Sequence, residues 1–281
     1  MRRLTAGVPK KKPSSKSTTR LPIVCDADTL RSLIRKKAVR VVDVRKADDY
    51  SKDHIRTAVS LPLARVLEND TPEKIIEILG ELGISDNTPV VVYDDTFGAL
   101  AARVAWTFQY VGHTNTALLE MTFSQWKQLG LETEKRPSKF PRAKHSLAVD
   151  STIHADARYV EASKAEQGKL LVDSRERLNF LTEHIPGAKN IPYTMVGSNG
   201  SILRKADELK RMMENRGIQS DAEIITYCGS VGTLSGLTYY ALKLAGFQNV
   251  KLYPKSFKEW KALGKPKEEF KEANYWDLSA E

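Results

Sequence analysis

Two stretches of this chain align with one another. Val41-Val42-Asp43-Val44-Arg45 lies 130 residues before Leu171-Val172-Asp173-Ser174-Arg175, and His54-Ile55-Arg56-Thr57-Ala58 lies the same distance before His184-Ile185-Pro186-Gly187-Ala188. Further along, Gly83 matches Gly217, Tyr93 matches Tyr227, Trp126 matches Trp260 and Gly130 matches Gly264, all at an offset of 134. The second copy therefore carries four extra residues, and the Gly- and Asn-containing stretch 195–201 reads as the surface turn that holds them. A unit this long is a duplicated domain, because solenoid repeats have periods of roughly 20 to 50 residues. With 281 residues, 41% of them hydrophobic, the chain can bury two separate cores.

Each copy alternates short apolar runs with segments of helical period. Strands are expected at 39–44, 89–93 and 116–119 in the first copy and at 169–173, 223–227 and 250–253 in the second. Helices are expected at 72–82, 98–111 and 123–129, then at 205–216, 233–245 and 256–262. Such alternation predicts the α/β class, with each domain a parallel sheet flanked by helices on both faces. Domain 1 is placed at 21–134 and domain 2 at 147–281. Residues 135–146, with two prolines, several basic residues and little apolar periodicity, read as an exposed linker.

Ligands on open parallel sheets bind beyond the carboxyl ends of the strands. In domain 2 that place is taken by Cys228-Gly229-Ser230-Val231-Gly232-Thr233, between an apolar strand and an apolar helix. A thiol at such a turn faces the amide hydrogens and the positive dipole end of the helix, which favours a nucleophilic thiolate. A short loop wrapped round one sulfur can also aim several amides at an anion held above it. Ser230 is expected to contact substrate and Thr233 to cap the following helix. Domain 1 has Asp94 at the matching position, so that half is expected to be non-catalytic. The other cysteine, Cys25, has no comparable setting and is read as structural. Arg45, Arg175, Asp43, Asp173, His54 and His184 occur in both copies, including the one without a thiol, which argues for structural roles. Arg103 and Trp106, on the helix after Asp94, are assigned to packing between domains. Five histidines without clustered Cys/His spacing give no metal site.

The repeat, the Asp-x-Arg strand end, the His-Ile-Pro-Gly-Ala turn and the single Cys-led loop together resemble the tandem rhodanese family, the thiosulfate and 3-mercaptopyruvate sulfurtransferases. The resemblance runs from Leu21 to the C-terminal region and implies two rhodanese-like domains. It also implies a persulfide formed on Cys228 and stabilised by Gly229, Ser230, Val231, Gly232 and Thr233, with no cofactor. The implied reaction moves a sulfane sulfur from a small sulfur-donor anion to a thiol or thioredoxin-like acceptor. A neutral Cys-Gly-Ser-Gly-Val-Thr loop goes with 3-mercaptopyruvate in this family, and the loop here differs by exchanging Val231 and Gly232. If its fourth position needs a positive φ, valine there is strained. The family's substrate-binding arginine falls at Asn179, before Phe180. Its Asp-Gly-Ser-Trp turn has become Pro254-Lys255-Ser256-Phe257, and domain 1 has Glu120-Met121-Thr122 in place of Asp-Gly-Gly. Arg177 or Lys255 is the expected replacement for the missing anion clamp. Dual-specificity phosphatases that act on cell-cycle kinases share the fold, but they need an arginine six residues after the cysteine, where this chain has Leu234. The competing reading is a degenerate rhodanese-fold binding or scaffold protein in a larger assembly, organellar or otherwise, favoured by the lost clamps and opposed by Cys228.

The net charge of +9 is concentrated in residues 1–20, where Arg2, Arg3, Lys10, Lys11, Lys12, Lys16 and Arg20 face no acidic residue. That composition reads as a disordered tail, and it also permits a transit peptide or an arm that contacts an acidic partner such as RNA. No apolar run approaches the roughly 20 residues of a membrane span. With only two cysteines, a reducing compartment is expected, mitochondrial or cytoplasmic.

Overall fold

The computed structural model of the chain describes residues 20–270, so all but the last residue of the basic tail, and residues 271–281, lie outside the described region. The first half contains strands β1 (Val24–Cys25), β2 (Arg40–Asp43), β3 (His54–Ile55), β4 (Val59–Ser60), β5 (Val90–Tyr93), β6 (Thr116–Leu119) and β7 (Thr133–Glu134). Its helices are α1 (Ala27–Arg35), α2 (Ala47–Lys52), α3 (Leu63–Glu68), α4 (Pro72–Glu81), α5 (Ala99–Tyr110) and α6 (Phe123–Gln128). The second half has strands β8 (Lys169–Asp173), β9 (Lys189–Asn190), β10 (Glu223–Tyr227) and β11 (Val250–Leu252). Its helices are α7 (Ala157–Ser163), α8 (Arg177–Thr182), α9 (Ala206–Asn215), α10 (Thr233–Leu244) and α11 (Ser256–Ala262).

Both main sheets are wholly parallel, ordered β1-β6-β5-β2-β4 and β11-β10-β8-β9. The central strands are apolar along their length because helices cover both faces: Val90, Val91 and Val92 are fully buried, as are Ile224 and Ile225. Ahead of α7, His154 makes a single parallel bridge to Leu252, the place β1 takes beside β6. Asp26 and Asp156, 130 residues apart, each cap the helix that follows by accepting a backbone N–H, from Thr29 and Tyr159 respectively.

The halves meet through α5 and α10. Gly236 permits this approach, since a Cβ there would stand 3.3 Å from the Arg103 amide nitrogen. One apolar cluster runs from Val42 and Val92 through Val104 and Phe108 to Leu237, Tyr240 and Ile224, so the two cores are continuous across the boundary.

The expected strands and long helices are present with ends trimmed by a residue or so. The two-residue strands β1, β3, β4, β7 and β9 and the helices α1, α2, α3, α7 and α8 were not expected, because runs of two to nine residues are too short to show a clear period. Two expected surface segments are more closely tied to the domains than their sequences showed. The stretch 135–146 is exposed but fastened: Phe140 lies under the Arg40 guanidinium at 3.0 Å, the Ala143 amide donates to Gly80 O at 2.9 Å, and Ser146 donates to Asp86. The turn at 195–201 is exposed at 198–200, yet its return leg docks on the first half, with the Ile202 amide donating to Glu120 O at 2.8 Å.

Candidate active site

Each half builds the same buried polar brace at the ends of its central strands. Asp43 takes a forked pair of bonds from Arg45, and Tyr93 donates to the same carboxylate at 2.6 Å while accepting the Ile55 amide at 3.1 Å. Asp173, Arg175, Tyr227 and Ile185 repeat the arrangement. Arg45 and Arg175 each also donate to a backbone oxygen, of Asp53 and Glu183. His54 and His184 bond through Nδ1 to Tyr50 O and Phe180 O, both at 2.8 Å, and so fix the turns. These shared residues are scaffolding, and they hold the strand ends from which the two unlike loops depart.

In the first half the loop closes on its own side chain. Asp94 Oδ1 accepts the amides of Thr96 (2.7 Å) and Gly98 (2.9 Å), and Oδ2 accepts that of Ala101 (2.9 Å). Burial pushes this carboxyl up, and the three amides hold it back. The loop is an anion cradle already occupied by a carboxylate.

In the second half the positions that match Thr96, Gly98 and Ala101 are Ser230, Gly232 and Ser235, and Cys228 stands in the place of Asp94. Gly232, with φ of 76°, is the N-cap of α10, as Gly98 (φ 86°) is of α5. The positive φ therefore falls at the fifth loop position, and the strain expected for Val231 is absent because glycine sits where the turn requires it. Thr233 is the first helical residue and does not cap; the cap has no side-chain hydrogen bond. Cys228 is 2% exposed, beneath a loop whose next three residues are exposed. Its amide donates to Ser256 Oγ at 3.1 Å, and that hydroxyl lies 3.7 Å from Sγ. Ser256 holds a left-handed φ of 56° and also donates to Tyr253 O at 2.9 Å. Of the altered Pro254-Lys255-Ser256-Phe257 turn, the serine is the part that reaches the sulfur.

A cleft of about 340 Å³ opens beside this loop, between the halves. Ser230, Val231, Pro254 and Lys255 form one wall and Arg103, Trp106 and Tyr110 the other, with His154 and Asp70 also lining it. Lys255 is exposed and pairs with Glu259 at 3.2 Å. Arg177 does not line this cleft; it starts α8, with its guanidinium 5.9 Å from the Phe180 ring. Only Lys255, of the two expected replacement cations, borders the cleft.

Arg103, assigned to packing from the sequence, does more. It is 7% exposed, and Nε donates to the Val231 carbonyl oxygen at 2.8 Å, bracing the Cys228 loop from the opposite half. Burial lowers its pKa to about 10, while Asp70 and Cys228 pull it upward, so it carries its charge at neutral pH. The signal that could have found it is asymmetry: the position 134 residues on is Leu237. Cys25 behaves as expected of a structural thiol, fully buried, with burial and then Asp26 and Glu120 pushing its pKa up to about 12. Among the described residues no group of acidic, His and Cys side chains could hold a metal ion, and no helix is long and apolar enough to cross a membrane.

A duplicated parallel α/β fold with a cysteine-led loop in one copy and an aspartate-filled loop in the other defines a two-domain protein with one candidate reactive thiol. Residues 26–129 and 156–263 each match the rhodanese-like domain, and the chain belongs to that family as a two-domain sulfurtransferase. It is 30% identical to a putative thiosulfate sulfurtransferase of Haloferax volcanii over 79% of this chain and 86% of that protein. It is also 30% identical to a probable 3-mercaptopyruvate sulfurtransferase of Schizosaccharomyces pombe, over 77% of this chain and 75% of that one. The crystal structure of SseA from Escherichia coli, described as a 3-mercaptopyruvate sulfotransferase, superposes with a TM-score of 0.76 at 25% identity, covering 84% of this chain and 99% of that one.

Proposed function

We propose that this sulfurtransferase carries sulfur as a persulfide on Cys228, taking it from 3-mercaptopyruvate in preference to thiosulfate and passing it to a thiol, either a small molecule or a thioredoxin-like protein. The observation that carries this reading is the aspartate cradle of the silent half. Three amides there hold a buried carboxylate, and the matching loop, with the same glycine-capped helix behind it, carries a cysteine in the carboxylate's place. Among the described residues the Ser230 and Gly232 amides meet no protein acceptor, which leaves them for an anionic outer sulfur.

In the donor step the Cys228 thiolate attacks the sulfur of 3-mercaptopyruvate. The S–S bond forms as the C–S bond breaks, the electron pair passes to carbon, and protonation of that carbon releases pyruvate. In the acceptor step an incoming thiolate attacks the outer sulfur, the S–S bond to Cys228 breaks, and Sγ leaves as thiolate. No cofactor is needed for either step. The loop itself carries no basic residue, and the cations at the site, Arg103 and Lys255, stand on the cleft walls. That arrangement suits a donor whose charge is set apart from its sulfur.

Intact mass after incubation with 3-mercaptopyruvate or thiosulfate tests the reading: the protein should gain the mass of one sulfur atom, and Cys228→Ser should gain none. Folded protein that takes up no sulfur from either donor would instead be the degenerate scaffold.

A further inference from the structure

We propose that Arg103, supplied by the half that lacks a thiol, binds the carboxylate of the sulfur donor in the cleft beside the Cys228 loop. The inference rests on the donor reading above and assigns the anion-binding group that the altered family positions leave open.

The first support is broken symmetry. The α5–α10 pair is flanked by two equivalent clefts, one by the Cys228 loop and one by the Asp94 loop. In the second cleft Phe97 takes the place of Val231, Leu237 takes the place of Arg103, and Ile202 crowds Gly98, where a Cβ would lie 2.8 Å from its Cδ1. The arginine of that cleft, Arg204, is exposed and spends its Nε on Met195 O. A buried cation in α5 therefore serves only the side that has the sulfur.

The second support is the arginine's own bonding. A buried charge is costly unless paired. Arg103 forms no ion pair with any described carboxylate; its Nε holds Val231 O, its Nη1 meets Thr107 Oγ1, and its guanidinium lies 5.2 Å from the Trp106 ring. Nη2 has no hydrogen-bond partner among the described residues, and the side chain lines the cleft. Asp70 is the acidic side chain of that lining, and Lys255, already paired with Glu259, and His154 are its other basic groups. The brace through Nε and Nη1 fixes the fork and leaves one donor edge for an anion.

The third support is placement. Arg103 holds the exposed residue Val231 and lines the cleft, whereas Cys228 is buried beneath the loop and is not part of that lining, so the charge and the sulfur are offset from one another. Thiosulfate bears its charge on the group bonded to its outer sulfur, whereas a 2-oxo-3-thio acid carries it two carbons away. The offset cation matches the second, and Trp106 and Tyr110, stacked with centroids 5.3 Å apart, offer a flat wall for the carbon skeleton.

Alkylation of Cys228 tests this without requiring sulfur transfer. Iodoacetate and iodoacetamide react alike, the thiolate displacing iodide to form an S–C bond, but only the first carries a carboxylate. Rates are read at the Cys228 peptide by mass, with buried Cys25 as the internal reference. In Arg103→Gln the iodoacetate-to-iodoacetamide rate ratio should fall about fivefold to tenfold, the size expected for one partly desolvated charge, and Arg103→Lys should recover part of it. An unchanged ratio overturns the proposal. Should both variants misfold, the wild-type protein decides: pyruvate should slow alkylation of Cys228 by iodoacetamide and ethyl pyruvate should not, and equal behaviour of the two overturns it. Sulfur loading of the wild type, scored separately by intact mass, shows whether the persulfide reading stands whatever the ratio does.

Discussion

Arg103 Nε donates to the carbonyl oxygen of Val231 across the boundary between the two halves, at 2.8 Å. The loop around the candidate nucleophile is thus shaped partly by the half that has none. Duplication placed two like loops on either side of the α5–α10 contact, and each then diverged. One fills its cradle with a carboxylate and has Leu237 at the flanking position, while the other holds a sulfur and is flanked by Arg103.

The Asp94 cradle predicts a large stability cost for a small change. Asp94→Ala would leave the Thr96, Gly98 and Ala101 amides unsatisfied near the buried core, where each lost partner costs about 1–3 kcal/mol. With partial relaxation the net loss should be about 2–4 kcal/mol in urea denaturation. Asp94→Asn keeps an acceptor for two of the three amides and should cost less. Equal stability of Asp94→Ala and wild type would refute the cradle as described.

The loop of the second half turns on one glycine. At Gly232 a side chain would occupy a left-handed φ and meet Pro254 Cα at 3.1 Å and Arg103 Cδ at 3.3 Å. Gly232→Ala should destabilise by about 1–2 kcal/mol from the backbone alone and should slow sulfur loading of Cys228 more than it lowers the unfolding midpoint. Val231→Ala, at an exposed side chain, should change stability by less than about 0.5 kcal/mol. The pair is measured by denaturation and by time-resolved intact mass.

Much of this fold was legible because it was written twice. Asp43 and Asp173, Tyr93 and Tyr227, and Trp126 and Trp260 recur at fixed offsets, and residues whose partners are all within one half must recur with them. The long strands and helices showed their periods for the same reason that they form, since burial on two faces or one stripe dictates the pattern. What could not be read was local or crossed the boundary. The space that forbids a side chain at Gly232 is closed by Pro254 and Arg103, both distant in sequence, and Ser256 reaches Cys228 from a turn 28 residues away. Arg103 showed only as a charge in an apolar helix whose copy has Leu237, and its role stayed hidden because its partner Val231 lies 128 residues further on.

The brace at the strand ends predicts matched effects in the two halves. Tyr93→Phe removes a donor to Asp43 and the acceptor for the Ile55 amide, and Tyr227→Phe does the same to Asp173 and Ile185. Each should cost about 1–3 kcal/mol, since a buried carboxylate and a buried amide both lose a partner. Denaturation of the single variants checks this, and a cost in one half without the other would show that the repeat is not energetically equivalent.

The fastening of residues 135–146 predicts a pH response. His113 is fully buried, with Nδ1 3.0 Å from Nε2 of His145, whose own Nδ1 lies 2.9 Å from Ser146 O and 3.3 Å from Asp86. Burial first, and then His145, lower the His113 pKa from 6.5 to about 4, against weaker opposing effects of the Thr88 backbone and Asp86. The native state therefore binds fewer protons than the unfolded chain between these two values. The stability this histidine contributes is present above pH 6.5 and is lost as pH falls towards about 4. A shift of this size corresponds to at most about 3 kcal/mol. Replacing His113 with Gln removes the titrating group, so urea midpoints of the variant should depend less on pH across the upper part of that window, before carboxylates begin to titrate. Amide exchange at Ala148, which donates to Val111 O beside His113, should accelerate over the same range in wild type. Parallel pH profiles for wild type and variant would show that the buried ring is not what holds this segment down.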